Sequence, residues 1–147
     1  MTANEPEVVP WDTAADELAR VRHQVFVVEQ NVPMEQEIDG LDPDSTHVVV
    51  RDPTGSAIAT ARLLADGHIG RVAVLAPWRG QGLGQAMVRS LIEYARERGD
   101  ACVLLNAQAS ALGFYRRLGF KAQGEMFMAA GIPHQSMCLT FQRGDPA

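Results

Sequence analysis

The chain reads as a mixed α/β domain, and three features of the sequence predict it. Short apolar runs of strand length alternate with longer stretches whose apolar residues recur at helical spacing. Three of the strand-like runs follow one another across short turns, which predicts an antiparallel meander. Glycine and proline mark most junctions. The 147 residues fit one domain of the common size. No repeat, low-complexity tract or linker divides them, so residues 1–147 are expected to form one unit.

The elements follow in order. Glu7-Val8-Val9 reads as a short strand ended by Pro10. Asp12 or Thr13 can cap the next helix, whose stripe is Leu18, Val21, Val25 and Val28, widened by Phe26. Residues 31–45 form a long, acid-rich connection broken by Pro33, Gly40 and Pro43; that length predicts a lid or wall of a binding site. Residues 46–51, 57–64 and 69–75 are the meander strands, the first two joined by the turn Asp52-Pro53-Thr54-Gly55. Val88, Leu91, Ile92 and Ala95 give a half-buried helix that Gly99 can stop. Residues 101–105 are apolar throughout, which predicts a central strand covered on both faces. Ala111, Phe114, Tyr115 and Leu118 mark a further helix, ended by Gly119. Two closing strands, 120–128 and 137–141, flank Gly131-Ile132-Pro133.

Composition narrows the function. The net charge is −5 and the charges are scattered, so neither nucleic acid nor an anionic membrane is favoured as a partner. No apolar stretch approaches the roughly 20 residues that span a bilayer. The start, Met1 to Glu7, is polar and acidic and does not read as a signal peptide. Cys102 and Cys138 read as buried reduced thiols of a cytoplasmic protein. Neither they nor the four histidines have metal-ligand spacing, and no metal is expected.

The chemistry starts at Arg79-Gly80-Gln81-Gly82-Leu83-Gly84, between an apolar run and a helical pattern. Bare backbone amides at a helix N-terminus favour an anion, because unpaired N–H groups and the helix dipole point there. A glycine turn without a ligand is the other reading. A dinucleotide fingerprint does not fit, since Gln85 and Ala86 follow Gly84 and the preceding strands are antiparallel. A P-loop needs Gly-Lys-Ser/Thr, which is absent.

The spacing R-x-x-G-x-G, filled by Arg79, Gly82 and Gly84, resembles the pyrophosphate loop of the GNAT superfamily of N-acetyltransferases. Gly113-Phe114-Tyr115-Arg116-Arg117-Leu118-Gly119-Phe120 resembles that superfamily's second signature, and the element order agrees over nearly the whole chain. A narrower likeness is to its ElaA-like branch. It rests on residues 25–31, Glu37-Ile38-Asp39-Gly40, Gly70-Arg71-Val72, Ala107-Gln108-Ala109 and Gly131-Ile132-Pro133-His134. One departure stands out: Ala129 and Ala130 occupy places where the branch leads us to expect acids. The reading of a cationic substrate end there is weakened accordingly.

The resemblance implies a mostly antiparallel central sheet with one splayed pair of parallel strands and helices on both faces. It implies acetyl-CoA as donor, and transfer of its acetyl group to a primary amine by direct attack in a ternary complex. The pyrophosphate would lie on the amides of Arg79, Gly80, Gln81, Gly82, Leu83 and Gly84, and Arg79 can add charge. Val72, Ala73 and Val74 would offer backbone groups to the pantetheine arm, and one amide can polarise the thioester carbonyl. Asn106 either hydrogen-bonds the cofactor or caps a helix. Tyr115 is the expected general acid for the leaving thiolate; a core aromatic is the alternative. Glu29, Asp39, Glu125 and His134 are candidate bases. Arg22, Asp39, Asp42 and Arg62 are expected to pin the long loop as an ion-pair network. A non-catalytic acyl-CoA-binding module, and a longer acyl donor as in acyl-homoserine-lactone synthases, are the competing functions. A free edge of the closing strands could pair with a second copy as a homodimer.

Overall fold

The computed structural model describes residues 5–129 and 131–141. Ala130 and the first four residues lie outside them. β1 (Glu7–Val9) leads into α1 (Trp11–Arg22), which continues as a π-helix over His23–Glu29. A short α2 (Met34–Glu37) and a 3-10 turn (Asp42–Asp44) occupy the long connection. The meander β2 (Thr46–Arg51), β3 (Ala57–Leu63) and β4 (Ile69–Val74) follows. Then come α3 (Leu83–Glu97), β5 (Cys102–Gln108), α4 (Leu112–Arg117), β6 (Lys121–Ala122), β7 (Phe127–Ala129) and β8 (Ile132–Thr140).

Two antiparallel sheets result. One runs in the order β1-β2-β3-β4; in the other, β8 pairs with β5 on one side and with β6 and β7 on the other. The sheets touch at one parallel bridge between His68 and Leu104, where the Leu104 amide donates to the Gly67 carbonyl at 3.0 Å. Beyond that bridge, β4 and β5 share no ladder among the described residues. This is the expected splayed pair.

Strand alternation sends the apolar side chains of the meander to two cores. Val48, Val50, Ala59 and Ala61 pack under α3 with Met87, Val88 and Leu91, joined by Ile58 at the bulge in the β2–β3 register. Val49, Ala57 and Ala73 face α1 with Leu18 and Val21. Helices therefore cover both faces, as expected.

Four local expectations are corrected. The cap of α1 is Pro10, whose fixed φ suits a helix start; Asp12 is in the first turn and Thr13 Oγ1 donates back to the Pro10 carbonyl at 3.4 Å. The stripe of α1 fails at Val28, which is 53% exposed. The π-helix is the cause: each turn takes more residues than an α-turn, so the 3.6-residue period no longer returns position 28 to the core. The doubly covered strand is β3, all seven of whose residues are buried between α1 and α3. In β5 only Val103, Leu105 and Ala107 are buried, because its other face borders the opening between the sheets. Finally, the last strand starts at Ile132, and the run expected at 120–128 is broken into β6 and β7 on either side of Gly124, which has φ +73°.

Candidate active site

A cavity of about 610 Å³ lies at the seam where β4 parts from β5. Val72 and Gly70 line it from β4, Leu105 and Asn106 from β5, Tyr115 from α4, and His134 from β8. The long connection supplies another wall through Gln36, Glu37, Asp39 and Leu41, so the segment expected to border a site does so.

The glycine turn closes one end of β4. Gly80 and Gly82 both have φ near +80°, a conformation that costs an L-residue about 1–2 kcal/mol. Gly82 is the N-cap of α3 and offers no side chain, so the first intrahelical bond runs from Ala86 N–H to the Gly82 carbonyl. The amides of Leu83, Gly84 and Gln85 therefore precede the helix ladder, at the positive end of a 15-residue helix dipole. Arg79 turns elsewhere. Its Nε donates to the Val74 carbonyl at 2.9 Å and its Nη2 meets Glu29 at 2.9 Å, so the guanidinium ties the end of the π-helix to the end of β4.

Tyr115 sits on α4 with its ring edge-on to Phe114 and Phe120, at centroid distances of 4.9 and 5.9 Å. It is 9% exposed, and its hydroxyl has no hydrogen-bond partner among the described residues. Burial pushes its pKa up to about 12, because a phenolate loses solvation there. Phe114 reaches the glycine turn: a Cβ on Gly84 would lie 3.6 Å from its ring. The two sequence signatures therefore lie side by side, with Phe114 packed against the cluster that contains Leu83.

Asn106 lies inside β5, where its Oδ1 accepts from Ser136 Oγ at 2.9 Å, and it lines the cavity. The N-cap alternative is removed, since Gln108 and Ala111 stand before the next helical turns. His134 faces the same cavity. Its Nδ1 is 2.7 Å from the Ile132 carbonyl, and its ring stacks on Phe127 at 5.8 Å. A carbonyl only accepts, so the neutral ring carries its proton on Nδ1 and presents the Nε2 lone pair. Glu29 is held by Arg79, and Glu125 is exposed outside the cavity lining.

The ion-pair network is larger than the sequence suggested. Arg22, 2% exposed, bonds Glu37 and Asp42 at 2.7 Å each. Arg62 makes a bidentate pair with Asp39, both bonds at 2.9 Å, and reaches Asp42 at 3.1 Å. Arg71 Nη2 donates to the Gln36 and Glu37 carbonyls at 3.2 and 3.0 Å and to Asp39 at 3.2 Å. His47 Nε2 donates to the Asp42 carbonyl at 2.9 Å beneath Trp11, whose ring centroid is 4.9 Å away. Burial alone would raise the Asp39 and Asp42 pKa values, but bonds from Arg62 and Arg22 and the nearby charges outweigh it; Asp39 falls to about 2. Burial, reinforced by Arg62, lowers Arg71. Sequence reasoning did not single out Glu37, His47 or Arg71 as site residues. For Arg71 a signal existed: it is the one charged residue in the apolar run Ile69-Gly70-Arg71-Val72-Ala73-Val74. Its φ of +50° is unusual for a non-glycine residue, and the β3–β4 register shifts beside it.

Comparison with known proteins fits this architecture. The sequence model of the Acetyltransferase (GNAT) domain matches residues 12–141. The uncharacterized N-acetyltransferase YjcF of Bacillus subtilis (strain 168) is 40% identical over 120 residues, covering 80% of this chain and 86% of the relative. The crystal structure of Escherichia coli ElaA superposes with a TM-score of 0.83 at 32% identity, over 92% of this chain and 99% of that one. An acyl-CoA N-acyltransferase from Pseudomonas aeruginosa gives 0.82 at 32% identity, with coverage of 92% and 99%. With the family's sequence pattern, its sheet topology and its splayed strands all present, the chain belongs to the GNAT family of acyl-CoA-dependent acyltransferases.

Proposed function

We propose that this chain, as one domain, transfers the acetyl group of acetyl-CoA to a primary amine of a small molecule or peptide, by direct attack in a ternary complex. The observation that carries the reading is the close approach of Phe114 on α4 to the glycine turn at Gly84, beside Tyr115 at the opening between β4 and β5. One ligand can then meet an anion site at one end and a buried phenol at the other. The turn suits the donor's pyrophosphate: Gly80 and Gly82 have open space where a Cβ would stand, and the α3 amides before Ala86 precede the helix ladder.

In the proposed reaction the amine attacks the thioester carbon and a backbone amide of Val72, Ala73 or Val74 steadies the developing oxyanion. Collapse breaks the C–S bond. Tyr115 gives its proton to the sulfur as the bond breaks, and the proton shed by the amine restores the balance. A phenol pushed towards 12 is fully protonated at neutral pH, which suits a donor. His134 Nε2 is the base candidate that the geometry favours, since Glu29 is engaged by Arg79. Asn106 and the edge of β4 would hold the pantetheine arm.

Coenzyme A release with a panel of amines tests this. Release that depends on the amine is expected from the native enzyme. Tyr115→Phe should lower turnover by about 100-fold while the melting temperature and the KM for acetyl-CoA stay close to native. Near-normal turnover would remove Tyr115 from the acid role. Acetyl-CoA binding without release for any amine would favour a binding module.

A further inference from the structure

The cavity contains more charge than the proposed chemistry uses, and nearly all of it is already paired. Glu37 and Asp39 are the carboxylates that line it. Glu37 Oε1 is taken by Arg22 at 2.7 Å. Asp39 accepts from Arg62 through both oxygens, from Arg71, and from the Leu41 amide at 3.1 Å. Asp39 has no oxygen left for an ammonium group, and the charge of Glu37 is already matched by Arg22.

The cations divide differently. Arg62 spends both terminal nitrogens on Asp39 and Asp42, and its Nε is buried without a partner. Arg71 spends only Nη2. Its Nε is buried without a partner, and its Nη1 makes no hydrogen bond among the described residues. Burial, Arg62 and Arg22 work against its charge and outweigh the support from Asp39 and Glu37, so a further anion at Nη1 would favour the charged form. The backbone holds Arg71 at φ +50°, a strained arrangement of the kind that accumulates at ligand sites.

Position assigns the free Nη1 to the acceptor. The glycine turn is at the far end of β4 from Arg71. A donor laid along Val72 to Val74 with its pyrophosphate on the turn presents its thioester towards Arg71. Across the cavity the wall is apolar: Phe127, Ala129 and Ile132. Ala129 stands where an acid was expected from the family resemblance.

We propose that the acceptor is an amino-carboxylate with an apolar body, and that Arg71 reads its carboxylate while Phe127 and Ile132 take the apolar part. This rests on the acetyltransferase reading given above. Nη1 can donate to a carboxylate oxygen, and charge-assisted bonds of this kind are the strong ones. The cavity selects by the anion beside the amine, and the amine itself is left free to attack.

A matched acceptor series tests the proposal: phenylalanine, phenylalaninamide and phenethylamine, repeated with leucine, leucinamide and isopentylamine. Coenzyme A release is followed for the native enzyme, Arg71→Gln and Arg71→Lys, with melting temperatures and acetyl-CoA binding measured in parallel. The native enzyme should favour each acid over its amide and amine by at least about tenfold in kcat/KM. Arg71→Gln should erase that preference through KM for the acids, with little change for the decarboxylated amines, and Arg71→Lys should restore part of it. Equal use of the three acceptors, or use of amides and amines only, overturns the proposal and leaves the acetyltransferase reading intact. An equal loss on all acceptors in Arg71→Gln overturns it too, since that marks a purely structural arginine. Acetyl-CoA bound with no amine consumed overturns both.

Discussion

Asp39 shows how much one side chain can tie together. It joins Arg62 on β3, Arg71 on β4 and its own loop through the Leu41 amide. Its pKa falls from 3.8 to about 2, so its contribution to stability is present above pH 4 and is lost as pH drops through 2. That shift corresponds to about 2 kcal/mol. Urea titrations at pH 6 and pH 2.5 should show the loss, and Asp39→Asn should flatten the dependence over the same window. Asp39 and Arg62 were legible through the family resemblance, which marks them with Arg22 and Asp42 as charged positions suited to pairing. His47 was not legible as a partner, because its role depends on the tertiary approach of the Asp42 carbonyl and Trp11.

At the scale of elements, the glycine turn separates two roles that its sequence runs together. Gly82 is required by its backbone: a Cβ there meets open space, but the conformation is left-handed. Gly84 is already helical, and its Cβ would make ordinary contact with Phe114. Gly82→Ala should therefore raise the KM for acetyl-CoA several-fold through a distorted turn, with the strain costing about 1 kcal/mol, and Gly84→Ala should have a smaller effect. Steady-state kinetics on the two variants checks the order. Elements governed by local punctuation were readable: the Asp52–Gly55 turn, the glycines ending α3 and α4, and the meander. Those set by packing were not. Burial of β3 on both faces depends on α1, which no run of apolar residues announces. The winding at His23–Glu29 has no apolar period that distinguishes it from α-helix.

For the whole molecule, the buried network is the tie between the first helix and the site. Arg22 on α1 holds Glu37, whose carbonyl holds Arg71 on the cavity wall. Arg22→Met would leave Glu37 buried without its cation and should cost about 3–5 kcal/mol, read as a lower urea midpoint. Among the described residues no helix is long and apolar enough to cross a membrane, and no cluster of His, Cys, Asp and Glu could hold a metal. The family was legible because its two signatures depend on local backbone needs, whereas the acceptor side depends on which charges are paired, and that is settled only in three dimensions.

The seam between the sheets also orders the birth of the molecule. Every ladder of β1 to β4 is closed by residues 7–74, and every ladder of β5 to β8 by residues 102–140. A chain synthesised from the N-terminus holds every ladder partner of its first sheet before it holds any of the second's. The second sheet completes a core that the first sheet and α3 have already begun, through Val103, Leu105 and Met137. The cavity between the sheets takes walls from both, from Phe26 to His134, so a chain cut short of β5 cannot enclose it.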